Sequence, residues 1–175
     1  MSPERRGKYQ VNFEQVALNA KELTLRDGHH VPILIVEGSM KYLINTFREM
    51  PDTHQARAQM MDLIGRTFAT NGRIGRLRQV FFICEGWMSM GRKENLPKIR
   101  PSEDPDRLEV LIISGLQVEG NKKNLILFQM DRDNQNRLVD LREIKPSGER
   151  AGEVEVPLLD AFVKGFQGAI REQVS

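Results

Sequence analysis

Cysteine occurs once in this chain of 175 residues and histidine three times. No uninterrupted apolar run approaches the roughly 18 to 20 residues that a membrane-spanning helix needs. Each shortage excludes something. The single thiol, Cys84, rules out an intramolecular disulfide and a multi-cysteine zinc site. Set in the apolar stretch VFFICEG, it reads as a buried structural thiol rather than a nucleophile. His29, His30 and His54 are too few and too badly spaced to hold zinc, and all three are expected at the surface or a rim. Neighbours on an extended chain point to opposite faces, so His29 and His30 would not chelate together. A Gly-x-Ser-x-Gly elbow, a His-Glu-x-x-His helix, a P-loop and the dinucleotide glycine pattern are all missing. The opening decapeptide MSPERRGKYQ is charged with no hydrophobic stretch behind it, so neither a secretory signal nor an anchor is expected. The expectation is a cytoplasmic chain with no membrane partner, no cofactor and no metal, with residues 1–11 as a flexible N-terminal segment.

What the chain does have is the balance of a globular protein: 39% hydrophobic residues against 29% charged. Its length fits one domain spanning 1–175, able to bury about two-thirds of the surface of the unfolded form. The net charge of +2 conceals an uneven distribution. Between Arg66 and Arg100 stand eight basic residues (Arg66, Arg73, Arg76, Arg78, Arg92, Lys93, Lys98, Arg100) against Glu85 and Glu94, so that segment is +6 and the remainder −4. A local excess of this kind makes a phosphate-binding face where the residues converge in space.

Hydrophobic spacing predicts a first helix after Asn12, with Phe13, Val16, Ala17, Ala20 and Leu23 on one face and Gly28 just past its end. VPILIVEG, residues 31–38, reads as a short strand. A second helix is expected over Met40–Glu49, stopped by Pro51, and a third from Asp52 or Thr53, carrying Met60, Leu63, Ile64 and Phe68 up to Asn71-Gly72. Four β-rich runs follow, VFFICEGWM, LEVLIISGLQV, NLILFQM and RLVDL, the last nearest an edge. A final helix places Leu159, Phe162, Val163, Phe166 and Ile170 on one stripe, with Gly165 and Gly168 signalling close packing. The fold class is therefore α+β, a largely antiparallel sheet of about five strands in the order α-β-α-α-β-β-β-β-α.

Several carboxylates invite a chemical reading. FQMDRDNQNRLVDLREIK, residues 128–145, places Asp131, Asp133 and Gln135 at the first three ligand positions of a calcium loop, but Asn136 and Arg142 stand where glycine and a bidentate glutamate are required. Asp133 with Glu143-Ile-Lys145 resembles the Asp and Glu-x-Lys pattern of restriction-endonuclease-like nucleases. If the turn centres on Asn134-Gln135, Glu143 falls opposite about residue 126, roughly 20 Å from the aspartates. A polar hairpin turn is the better reading.

Glu85 is more unusual, since strand alternation puts it with Phe81, Ile83 and Trp87 unless Gly86 forms a bulge. Glu37 raises the same question, because IVEG and ICEG both end strand-like runs; on neighbouring strands the two carboxylates would meet. GRIGRLR, residues 72–78, has glycines and arginines suited to surrounding a phosphate with backbone amides and guanidinium groups, or to an ordinary solvated connection.

EGW at 85–87 and PSEDPDRLEVLIISG at 101–115 resemble a pattern of small uncharacterised bacterial and phage-type proteins, in which a Glu-Ala-Trp strand precedes a Ser-Glu-x-Pro-x-Arg-x-Glu turn. Gly86 stands where alanine is usual. The resemblance implies a two-strand unit and no assigned reaction. Within the turn, Ser102, Asp104 and Asp106 are suited to bonding their own backbone, and Arg107 enters the next strand where a pair with Glu85 is expected.

Taken together, the residues point to a non-enzymatic interaction module, dimeric through a sheet edge or the final helix, with Arg73, Arg76, Arg78 and Lys93 contacting nucleic acid or another anion. The alternatives are a divalent-metal hydrolase or nuclease using Glu37, Glu85 or Glu109 as catalytic residues, and a structural assembly protein.

Overall fold

The computed structural model describes residues 10–89, 98–145 and 154–175. The elements are α1 (Phe13–Asp27), β1 (Ile33–Gly38), β2 (Tyr42–Thr46), α2 (His54–Asn71), β3 (Leu77–Met88), β4 (Leu108–Gln117), β5 (Lys122–Arg132), β6 (Leu138–Ile144) and α3 (Pro157–Val174). The strands form one wholly antiparallel sheet in the order β2-β1-β3-β4-β5-β6. The class is α+β, with six strands rather than about five. The additional strand lies where a helix over Met40–Glu49 was expected. Gly38 N–H donates to Lys41 C=O at 2.9 Å, closing a hairpin, and Tyr42, Ile44 and Thr46 alternate outward in β2. β-branched and aromatic residues at every second position favour the pleat over the helix, so β2 replaces one arm of the expected helical hairpin.

Helix boundaries follow local chemistry. Asn12 Oδ1 accepts the amide of Gln15 at 3.2 Å, and Gly28, at φ 79°, ends α1 in the left-handed conformation with its N–H on Thr24 C=O. Thr53 Oγ1 accepts the amide of Ala56 to start α2, and Gly72 ends it.

Period-two alternation splits the sheet residues between two cores. Phe81 and Ile83 of β3, Leu111 and Ile113 of β4, Phe128 and Met130 of β5 and Leu141 of β6 pack under Val16, Ala17 and Ala20 of α1. On the opposite face Leu34, Val36, Val80, Phe82 and Leu116 meet Met61 and Ala69 of α2 and Leu159, Phe162 and Phe166 of α3. Each fully buried side chain of this size stabilises the fold by about 1.5–3 kcal/mol.

The buried line of α2 is Met61, Gly65 and Ala69 rather than the bulkier Met60, Leu63, Ile64 and Phe68; Leu63 is 65% exposed. Small residues turn inward because α3 lies against them. A Cβ on Gly65 would sit 2.1 Å from Phe162 C=O, and one on Gly165 2.1 Å from Asp62 C=O. The two glycines thus let the helix backbones touch. Leu23 of α1 and Ile170 of α3 are likewise further out than their spacing suggested, with Thr24 and Ala169 buried in their place. Among the described residues no helix is long and apolar enough to cross a membrane.

The glycine pair of α3 supplies a test of this contact. Gly165→Ala is expected to destabilise the protein by about 2 kcal/mol or more, because neither backbone can yield. Gly168→Ala meets only the mobile end of Arg66, at 3.3 Å, and is expected to be neutral or to gain up to about 1 kcal/mol of helix propensity. Urea unfolding of the two variants checks the contrast.

Candidate functional site

β1 and β3 are neighbours, as the meeting of Glu37 and Glu85 required, but they run antiparallel. Glu37 is opposite Gln79, and Glu85 lies six residues further along β3. Similar Glu-Gly ends on antiparallel strands fall at opposite ends of the pair, so the two carboxylates stand roughly 20 Å apart. That distance matches α1, whose 15 residues rise about 22 Å. Both glutamates hold the chain flanking that helix. Glu37 Oε2 accepts the amide of Val11, 3.0 Å away, just before α1, and Glu85 Oε1 accepts the amide of His30, 2.5 Å away, just after it.

At the second end, Glu85 shares a face with Phe81, Ile83 and Trp87, and the β3–β4 register runs through Gly86 without a bulge. The irregularity falls instead between Glu37 and Gly38. Glu109 is engaged by Arg132 in a two-pronged pair, Nε and Nη2 each 2.7 Å from a carboxylate oxygen, while Arg132 Nη1 reaches Gly28 C=O at 3.2 Å. Glu109 raises the pKa of the Arg132 guanidinium further above its ordinary value. Arg107 does not pair with Glu85; its guanidinium stacks over Trp87, 4.4 Å from the ring centre, and donates to Asp104 C=O. His30 is buried, with its ring Nδ1 2.6 Å from Val31 C=O, rather than at a rim. Most groups at this end of α1 engage one another, although among the described residues the buried Arg107 Nε has no hydrogen-bond partner. Glu37, Glu85 and Glu109 do not converge.

The first end is different. An open cleft of about 850 Å³ is lined by Glu37, Arg76, Arg78, Gln79, Gln117 and Gln167, among others. Its floor follows from strand register, since Glu37, Gln79 and Gln117 are direct cross-strand neighbours on β1, β3 and β4. Gln79 Nε2 donates both to Glu37 Oε2 at 2.5 Å and to Val11 C=O at 2.6 Å. Glu37 Oε1 is buried and, among the described residues, has no hydrogen-bond partner.

The arginines owe their position to the loop before β3. Gly38 carries no Cβ because one would lie 2.1 Å from Ile74 C=O. Against it, Ser39 N–H donates to Arg76 C=O, Met40 N–H to Ile74 C=O, and Arg76 N–H to Ser39 Oγ. The Arg76 amide is therefore spent on the fold, and what GRIGRLR offers a ligand is its side chains. Arg76 and Arg78 are exposed, and among the described residues neither has a carboxylate within ion-pair distance. Arg73 lines a separate cavity of about 90 Å³ with Leu43, Phe68 and Ile74.

The basic run as a whole does not form one patch. Arg66 is bonded to Asp62 and Glu172, and Lys98 and Arg100 belong to the connection that follows the far end of β3, an end that the strand's length sets roughly 35 Å from Leu77. Lys93, the fourth contact expected from sequence, and Arg92 lie outside the described residues. Sequence reasoning missed Gln79, Gln117 and Gln167, whose only signal is cross-strand register or helix placement, and Arg132, which lies in the hairpin where only acids were weighed.

Among the described residues no group of three His, Cys, Asp or Glu is placed to hold a metal ion. Residues 128–145 form the β5–β6 hairpin. Glu143 is opposite Phe128 rather than residue 126, because the loop is centred on Gln135, half a residue later, which shifts the pairing by one, and the bulge after Asp131 shifts it by one more. Asn136, at φ 60°, turns the loop, and Asp133 Oδ1 accepts the amides of Gln135 and Arg137, each at 2.9 Å. Burial pushes the Cys84 thiol up to about 11, as befits a structural rather than a nucleophilic group. No family model, curated protein or solved structure matches the chain.

The hairpin carboxylate carries a pH signature. The Arg137 backbone amide, and then its side chain, hold the Asp133 pKa below its ordinary value. A pKa depressed in the folded state gives stability that is present above the unfolded value of about 3.9 and is lost as pH falls through the folded one. Asp133→Ala is expected to lower the urea midpoint at pH 7, with the difference from the parent shrinking below about pH 4. A gap independent of pH would assign the effect to the turn geometry alone.

Proposed function

We propose that the protein is a non-enzymatic interaction module of the cytoplasm, which binds a phosphate-bearing ligand, nucleic acid foremost, through the Arg76–Arg78 cleft. The observation that carries this reading is the presence of two exposed guanidinium groups, free of carboxylate partners among the described residues, lining one open cleft. Guanidinium groups bind phosphate oxygens with paired, directional donors. The hydrolase or nuclease reading has less support, because Glu85 and Glu109 are engaged at the other end of α1 and, of the three glutamates, Glu37 alone lines the cleft, where the other acid is Glu119.

A single-stranded oligonucleotide is expected to bind more weakly as salt rises. Arg76→Gln with Arg78→Gln is expected to flatten the slope of log K against log salt by about 1.4, the loss of two phosphate contacts. Arg73→Gln, outside the cleft, should leave the slope nearly unchanged. Fluorescence anisotropy at several salt concentrations measures both, and a slope indifferent to Arg76 and Arg78 defeats the reading.

A second copy of the chain is the partner proposed at the β2 edge. β2 is uncharged, YLINT, whereas the opposite edge strand β6 carries Asp140, Arg142 and Glu143, the kind of charge that keeps an open edge from pairing. Tyr42 and Ile44 are each more than half exposed on one face of β2. The final helix is the weaker dimer surface, since it spends its apolar stripe on α2. Ile44→Lys is expected to convert a dimer to a monomer in sedimentation equilibrium, and a parent chain that sediments as a monomer would end this proposal.

A further inference from the structure

We infer that two copies of the chain join β2 to β2 with Ile44 on the two-fold axis, so that Tyr42 of each copy lies opposite Thr46 of the other and one sheet runs through the pair. The inference rests on the reading of the β2 edge as the place for a second copy, and adds the register and the surface that goes with it.

The hydrogen-bond parity of β2 is the first observation. Gly38 N–H donates to Lys41 C=O and Phe47 N–H to Pro32 C=O, at the two ends of the β1–β2 ladder. In an antiparallel ladder every second residue turns both its N–H and its C=O toward one neighbour. Lys41, Leu43, Asn45 and Phe47 are therefore spent on β1, and Tyr42, Ile44 and Thr46 turn theirs to the open edge. Among the described residues no strand lies on that side of β2. Such an edge is completed by main chain that offers donors and acceptors in the same rhythm. The free residues are evenly spaced about Ile44, which makes the edge complementary to itself. An axis at Ile44 engages all of them on both copies, in about six hydrogen bonds. An axis at Leu43 or Asn45 leaves either Thr46 or Tyr42 without a partner in β2.

The side chains are the second. Tyr42, Ile44 and Thr46 project from one face, and Tyr42 is 55% and Ile44 58% exposed. With the axis at Ile44 the two isoleucines cover each other, and Tyr42 covers Thr46 of the second copy, the aromatic and β-branched pairings that stabilise a sheet. Lys41 then lies roughly 20 Å from its own counterpart, so the charge at the start of the strand is not set against itself. The β6 edge of another copy would instead bring Asp140, Arg142 and Glu143 alongside β2, and would repeat without closing.

The neighbouring helix is the third. Thr67 and Phe68 of α2 share a small cavity with Leu43 of β2, so this flank of α2 overlooks the edge. Leu63, one turn before Thr67 on the same side, is 65% exposed. A two-fold axis perpendicular to the sheet sets the two α2 flanks toward each other above the joined strands, where Leu63 gains cover.

The test is a cysteine scan of residues 42 to 46, one position at a time in the full chain, with copper-catalysed air oxidation read by non-reducing electrophoresis. The parent, whose only thiol is Cys84 on a central strand, is the control. Across the axis the two Ile44 Cα atoms lie about 5.5 Å apart, within disulfide reach, whereas two Leu43 or two Asn45 lie roughly 8 Å apart. Ile44→Cys is expected to link at least about tenfold faster than any other single position. Tyr42→Cys mixed with Thr46→Cys before oxidation is expected to link where neither does alone. Fastest linkage at Leu43→Cys or Asn45→Cys overturns the register and leaves the edge dimer standing. A parent that sediments as a dimer, with no position or mixture linking, overturns the β2 edge as its interface. A monomeric parent overturns both readings, and a series of species growing with concentration overturns the closed pair in favour of β2 on β6. The mixture leaves Ile44 intact, so a dimer weakened by Ile44→Cys would not spare the inference.

Discussion

The antiparallel pairing of β1 with β3 is the constraint on which the rest of the molecule depends. It joins strands that β2 and α2 separate in sequence, places Glu37 beside Gln79, and sends Glu85 to the far end of the sheet. The span between the two carboxylates then matches α1, and each takes up a backbone amide beside that helix. Two polar groups that looked like halves of one chemical site are instead fastenings at two ends of one helix.

The ends differ in what they leave over. Around Glu85, the His30 amide, Arg132, Glu109 and Gly28 C=O answer one another. Around Glu37 the accounting is incomplete, with one buried oxygen unanswered and two arginines without acidic partners among the described residues. Polar groups buried for the fold's sake alone are normally satisfied. Each end nonetheless keeps one buried polar atom without a partner among the described residues, Glu37 Oε1 at one and Arg107 Nε at the other.

Much of the fold was legible where local chemistry decides. Asn12, Gly28, Thr53 and Gly72 delimit their helices as their types require, and four apolar runs became β3 to β6. β2 was misread because Tyr42 to Thr46 is too short for periodicity to distinguish strand from helix, and only the close of the hairpin at Gly38 and Lys41 separates them. The α2 stripe departs from its hydrophobic spacing because bulk signals burial in a sequence, whereas contact with α3 demands small residues. Of the site, Arg76, Arg78 and Glu37 were each visible as residues of interest. Their shared cleft was not, since it depends on a strand register and on a backbone contact at Gly38 to Ile74, and neither leaves a local motif.

The contact of Gly65 with the backbone of Phe162, and of Gly165 with that of Asp62, also bears on how the chain reaches its final state. About a hundred residues separate the two partners, so that loop must close before the second core gains its packing. During synthesis α1 and the hairpins can form early, while the apolar face of Leu34, Val36, Val80 and Phe82 has no complete cover until α3 has left the ribosome. This backbone contact between α2 and α3 is therefore among the last to form, and until then that apolar face lacks its full cover.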